Sequence, residues 1–156
     1  MPGSSQAAYR IGEKCTGCTA CVRVCPVFAI SGERGARHGI NALRCVACGV
    51  CGRICPSGAI SDGAGKLQSP VKRSLWPKPQ IYENVCSACG ICVQDCSPRA
   101  LSISLPKERG DINVFAELSA PDKCTGCGIC GKHCPLGAVV MVSPAAAETP
   151  AKELPQ

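Results

Sequence analysis

The sequence predicts an α+β fold of two tandem lobes, each assembled from short β-hairpins and short helices around cysteine-rich loops. Three observations predict it. All sixteen cysteines fall into four runs of one spacing, C-x2-C-x2-C-x3-C: Cys15, Cys18, Cys21, Cys25; Cys45, Cys48, Cys51, Cys55; Cys86, Cys89, Cys92, Cys96; and Cys124, Cys127, Cys130, Cys134. The runs form two pairs, separated by residues 63–80, which carry three prolines, two glycines and neither helical nor strand periodicity. Each run is followed by a brief apolar segment of strand character. The divisions are therefore 1–62 and 81–142 for the lobes, 63–80 for a basic linker and 143–156 for an Ala/Pro-rich tail.

The spacing is specific to one kind of chemistry. Three thiolates two residues apart wrap one inorganic cubane, while a fourth, three residues further along a helical turn, points elsewhere. A secreted disulfide scaffold also has many cysteines, but it rarely repeats one pattern four times, and no signal peptide is evident. Zinc takes two C-x-x-C pairs and has no use for a regular third and fourth cysteine in every run. The runs resemble those of the bacterial two-cluster ferredoxins, in which the fourth cysteine ligates the other cluster. That resemblance implies four 4Fe-4S clusters. Cys15, Cys18, Cys21 and Cys55 hold the first, and Cys45, Cys48, Cys51 and Cys25 the second. Cys86, Cys89, Cys92 and Cys134 hold the third, and Cys124, Cys127, Cys130 and Cys96 the fourth. Every run is complete, so no 3Fe-4S site is expected.

Taken in order, Ala8–Ile11 reads as an edge strand with Tyr9 and Ile11 on one face. Gly17 permits a tight turn with amides aimed at sulfur, and Thr16 and Thr19 offer hydroxyl donors; such hydrogen bonds raise reduction potential. Thr19–Cys25 forms a helix of one to two turns, ended by Pro26. Phe28–Ser31 is a strand, and Gly32–Gly39 a polar turn that leaves His38 exposed. The second run repeats the unit with a helix over Val50–Cys55, Pro56, and a strand over Ala59–Ser61. Ala8–Ile11 and Cys25–Ser31 also resemble ferredoxin phrases, which implies a pseudo-twofold pair of ferredoxin-like β-hairpins with two short helices covering the clusters.

In the linker, Trp76 with Leu75 reads as packing within the protein and sealing the two lobes, in preference to anchoring a partner. Lys72 and Arg73 read as solvated. The second lobe predicts longer strands, Ala100–Leu105 answered by Asp111–Leu118 across a turn at Lys107–Gly110, with Val139–Val142 as a further strand. In Cys96-Ser97-Pro98 the proline is displaced by one residue, which predicts looser packing over that cluster. His133, just before Cys134, reads as exposed. The tail from Ser143 reads as disordered by itself and available to clasp a neighbour.

Composition limits what such a chain can do. With two Phe, two Tyr and one Trp, neither lobe buries much core, so clusters must act as staples and folding is expected to depend on metal. The formal charge of +6 counts the cysteines as neutral. Four oxidised clusters at about −2 each, thiolates included, bring the total to about −2 and remove the case for nucleic acid. Residues 1–62 hold seven basic and three acidic groups, 63–80 four basic and none acidic, and 81–142 five against six. The loaded first lobe is thus near neutral and the second near −5, an asymmetry suited to oriented docking. No segment approaches membrane-spanning length, and a soluble cytoplasmic protein is expected.

No catalytic constellation or nucleotide-binding glycine loop is visible, so a non-catalytic electron-transfer role is expected. In length and in its four runs the chain is similar to the small iron-sulfur subunits of multi-subunit tungsten-dependent aldehyde oxidoreductases. The resemblance implies relay of single electrons from a tungstopterin catalytic subunit to a flavin subunit that reduces NAD, with copies stacking head to tail as a filament. The alternative is a free-standing low-potential polyferredoxin serving several enzymes. An iron-sulfur sensor or assembly protein would call for a DNA-reading helix or an exposed labile cluster, and neither is visible.

Overall fold

The computed structural model describes residues 7–144. The first six residues and residues 145–156, on which the expectations of a leaderless start and a disordered clasp rested, lie outside the described residues. The chain divides into two units, Met1–Lys72 and Arg73–Gln156.

The first unit runs β1 (Arg10–Ile11), α1 (Ala20–Val24), β2 (Ile30–Ser31), β3 (Gly39–Ile40), α2 (Val50–Ile54) and β4 (Ile60–Ser61). β2 and β3 form an antiparallel hairpin with Ile30 opposite Ile40, while β1 pairs antiparallel with β4, Ile11 opposite Ile60. The ends of the unit are thereby joined to each other, and α1 packs against α2. The buried cluster comprises Cys21, Ile30, Cys51, Cys55, Ala59 and Ile60. Half of that core is thiol. Little apolar area is available per residue, so what fills the space between the thiols decides whether the unit holds together.

Residues 63–72 continue the first unit. Asp62 Oδ1 accepts from the amides of Ala64 and Lys66 at 3.0 and 2.9 Å, a local side-chain turn. The chain then folds back, with the Gln68 amide donating to Ile60 O at 2.8 Å and Val71 N to Arg53 O at 2.9 Å.

The second unit runs β5 (Lys78–Ile81), α3 (Ile91–Gln94), β6 (Ser102–Ile103), β7 (Ala116–Glu117), α4 (Ile129–His133) and β8 (Val139–Val142). The same plan recurs: β6 pairs with β7, and β5 with β8 along four residues, Lys78 opposite Val142 through Ile81 opposite Val139. Residues 78–80, read from the sequence as linker without strand periodicity, are therefore strand. A two-stranded ribbon has a free edge on each strand, which is where a proline such as Pro79 is tolerated.

Trp76 is fully buried, with the Arg73 guanidinium 5.3 Å from its ring centroid. It is not available to anchor a partner. β6 and β7 are shorter than expected because side chains take over the ladder. Ser104 Oγ accepts from Phe115 N at 3.0 Å, and Asp111 accepts from the amides of Lys107 and Asn113 at 3.0 and 2.8 Å. These local bonds compete with sheet pairing. Leu105 and Ile112, 86% and 88% exposed, project from the resulting loop.

Candidate metal centres

Each cysteine run folds by one backbone recipe. Left-handed residues stand two after the first cysteine (Gly17, Ala47, Ala88, Gly126), immediately before the helix (Thr19, Gly49, Gly90, Gly128) and three after the fourth cysteine (Phe28, Gly58, Arg99, Gly137), with φ between 51° and 77°. Five of these are not glycine, at a cost of about 1–2 kcal/mol each. Alternating handedness coils the loop inward around a point instead of along an axis. After the fourth cysteine the chain closes a turn, in which the amides of Ala29, Ala59, Ala100 and Ala138 donate to the sulfurs of Cys25, Cys55, Cys96 and Cys134 at 3.3, 3.4, 3.2 and 3.2 Å. All four alanines are buried.

The displaced proline moves the backbone constraint along by one residue. A residue preceding proline is pushed out of the α region, and Cys25, Cys55 and Cys134 accordingly end their helices in extended conformation, with ψ of 112°, 111° and 113°. After α3 the constraint falls on Ser97 instead, and the helix ends one residue earlier than in the other runs, with Asp95 as its cap at φ −79°, ψ −7°. The turn still closes at 3.2 Å from Ala100 N to Cys96 Sγ.

These loops wall four hollows. The first is lined by Cys15, Cys18, Cys21 and Cys55. The second is lined by Cys25, Cys45, Cys48 and Cys51. The third and fourth are lined by Cys86, Cys89, Cys92 and Cys134 and by Cys96, Cys124, Cys127 and Cys130. Every hollow takes three thiols from one run and its fourth from the other run of the same unit. This crossing follows from α1 lying on α2 and α3 on α4, which delivers the residue at each helix end to the neighbour's loop. The sixteen thiols are all free.

The electrostatics show what the hollows need. Burial, with Cys15 beside it, pushes the Cys21 thiol up to about 11. Burial and Cys48 push Cys51 up to about 12, and burial and Cys127 push Cys130 up to about 12; Cys92 rises for the same reasons. Crowded thiolates require cationic metal among them. A soft all-thiolate wall around a hollow fits an iron-sulfur cluster.

Among the other candidate residues, Thr16 and Thr19 both line the first hollow, as a donor role requires, although Thr16 is exposed to solvent. His38 is not exposed but 2% accessible; it lines the first hollow, with Nδ1 3.0 Å from Ala36 O and Nε2 buried without a partner among the described residues. Gly32 makes this possible, since a Cβ there would lie 2.8 Å from the ring. His133 is exposed as expected, yet its Nδ1 is 2.7 Å from Asp95 Oδ2. Thr125, which the sequence did not single out, lines the fourth hollow, and Lys78 bonds the backbone of its loop at Cys124 O; aligning the four runs would have drawn attention to Thr125 as the counterpart of Thr16.

Paired hollows walled by four soft thiols each define an iron-sulfur protein with two clusters per unit. The chain belongs to the 4Fe-4S dicluster domain family, whose pattern matches residues 14–59 and again residues 85–138, and it carries four 4Fe-4S clusters. Among solved structures it is similar to a chain of the formate dehydrogenase - heterodisulfide reductase - formylmethanofuran dehydrogenase complex from Methanospirillum hungatei, at 23% identity and a TM-score of 0.33. The match covers 82% of this chain and 52% of that one, so the chain spans about half the length of that neighbour. No curated protein sequence matches it. Among the described residues no helix is long and apolar enough to cross a membrane.

Proposed function

We propose that the chain is a non-catalytic electron-transfer subunit whose four clusters are held by the crossed cysteine sets, three thiols from one run and the fourth from its partner run. The observation that carries this reading is the grouping of thiols around each hollow. Sharing helices between hollows ties the two clusters of a unit to one small body, which favours exchange within the pair. Bound 4Fe-4S clusters supply one-electron chemistry at potentials within roughly −700 to +450 mV. The chain's own part is to hold them, exclude water and aim amides at the ligand sulfurs.

The four complete runs support a more particular reading. Electrons pass from a tungstopterin aldehyde-oxidising subunit to a flavin subunit that reduces NAD, in the cytoplasm, and copies stack head to tail through the unequal charge of the two lobes. The test is affinity purification from the native cell with analysis of metals and flavin. Tungsten and flavin co-eluting in fixed proportion support it. A chain that elutes alone and accepts electrons from generic donors indicates a free polyferredoxin instead. Imaging decides the stacking, and single-copy particles at every concentration would rule it out.

A further inference from the structure

The fourth hollow is set apart from the others by a buried hydroxyl and by a lysine fixed to the backbone of its loop. Segment 76–79 lies over its loop. Pro79 lines the hollow together with Cys96, Cys124, Cys127 and Cys130, and Gly126 sits so close beneath the segment that a Cβ there would be 2.5 Å from Pro77 O. From this segment the Lys78 ammonium donates to Pro121 O at 2.7 Å and to Cys124 O at 2.9 Å. Two carbonyls thus fix a positive charge on the backbone of a cluster-binding cysteine. Next in the chain, Thr125 is 6% exposed, lines the same hollow, and has a buried hydroxyl without a partner among the described residues. Thr16 and Ser87, at the same position of the first and third runs, also line their hollows but are exposed, so their hydroxyls are open to water, and the second run has Val46 there. The one carboxylate on this wall, Asp95, is engaged by His133 at 2.7 Å.

A buried hydroxyl left unpaired is costly, and cluster sulfur is the acceptor a loaded hollow presents to it. We infer that Lys78 and Thr125 are positioning residues that raise the reduction potential of the cluster in the fourth hollow. Reduction adds one electron to the cluster from an external one-electron donor and breaks no bond to the chain. The added negative charge is stabilised by a fixed cation and by a hydroxyl donating to sulfur. Each contribution acts most strongly on this cluster, the one nearest to both groups. The inference rests on the ligand sets proposed above.

The test is a spectroscopically monitored redox titration of the iron-loaded full chain, comparing wild type with Thr125→Val, Thr125→Ser, Lys78→Met and Lys78→Arg. Thr125→Val and Lys78→Met are expected to lower the same single potential of the four by at least threefold in the reduction equilibrium, about 28 mV for a one-electron couple. Thr125→Ser and Lys78→Arg, which keep the hydroxyl and the charge, restore it. No shift, an even shift of all four, or shifts of two different clusters by the two variants would overturn the inference. If Lys78→Met fails to load fully, the decision passes to the Thr125 pair, which removes one hydroxyl at nearly constant shape. Wild type loading far below about sixteen irons would instead sink the ligand sets.

Discussion

Asp95 and His133 face each other across the second unit, Oδ2 2.7 Å from Nδ1, although 38 residues separate them in sequence. Each directly precedes the fourth cysteine of its run, Cys96 or Cys134. Those two cysteines cross into each other's hollow. The pair therefore clasps α3 to α4 at the crossing point.

Half-exposed side chains, 54% and 39% accessible, make this a modest clasp. Asp95→Asn and His133→Gln are each expected to leave iron content unchanged, and a double-mutant cycle on unfolding in denaturant should give a coupling of about 1 kcal/mol or less. Loss of a whole cluster in either variant would show the pair to be part of the ligand framework itself.

Cysteine substitutions should group by hollow and not by run. Cys130→Ala and Cys96→Ala are expected to alter the same spectroscopic species, whereas Cys134→Ala, on the same run as Cys130, should alter a different one shared with Cys92→Ala. Each single variant is expected to lose up to about a quarter of the iron. Electron paramagnetic resonance of the reduced proteins distinguishes the groupings, and species lost run by run would contradict crossed ligation.

Acidity supplies a further expectation. In the iron-free chain, burial raises Cys21 to about 11 and Cys51 and Cys130 to about 12, from an ordinary 9.0. A raised thiol favours the neutral form in the fold, so its contribution to the iron-free fold is present below pH 9.0 and lost as pH climbs through about 11 to 12. Iron needs thiolate and displaces those protons. Reconstitution should accordingly gain yield from about pH 7 to about pH 9, and any residual helical signal of iron-free protein should fall above that range. A flat reconstitution profile would count against buried thiols as ligands.

Glycine substitutions separate backbone strain from crowding. At Gly90, φ +77°, an added methyl group would meet open space, while at Gly126, φ +64°, it would lie 2.5 Å from Pro77 O. Gly90→Ala is expected to cost about 1–2 kcal/mol from the left-handed backbone alone, and Gly126→Ala about 1–3 kcal/mol more from overpacking. Thermal release of iron measures both, and Gly126→Ala should release the fourth cluster first.

The cysteine runs were legible because ligand spacing is local and the chemistry is periodic. Helices α1 to α4 coincide with each run's third cysteine for the same reason. Strand β5 was hidden because Pro77 and Pro79 interrupt any alternation, and its pairing with β8 depends on a segment about sixty residues away. The inward placement of His38 was equally hidden. It needs the bond from Gly35 N to Gly17 O at 3.1 Å and the bare Cα of Gly32 against the ring, neither of which has a pattern along the chain. The shortened β6 and β7 came from Ser104 and Asp111 diverting amides that a strand pattern assigns to the ladder.

Cys18 and Cys89 are the most exposed of the sixteen thiols, and each is the second cysteine of the opening run of its unit. Oxidants dissolved in the surrounding water meet those corners before any other. Air damage should begin at the first and third hollows, and a partially bleached sample would keep its second and fourth centres longest.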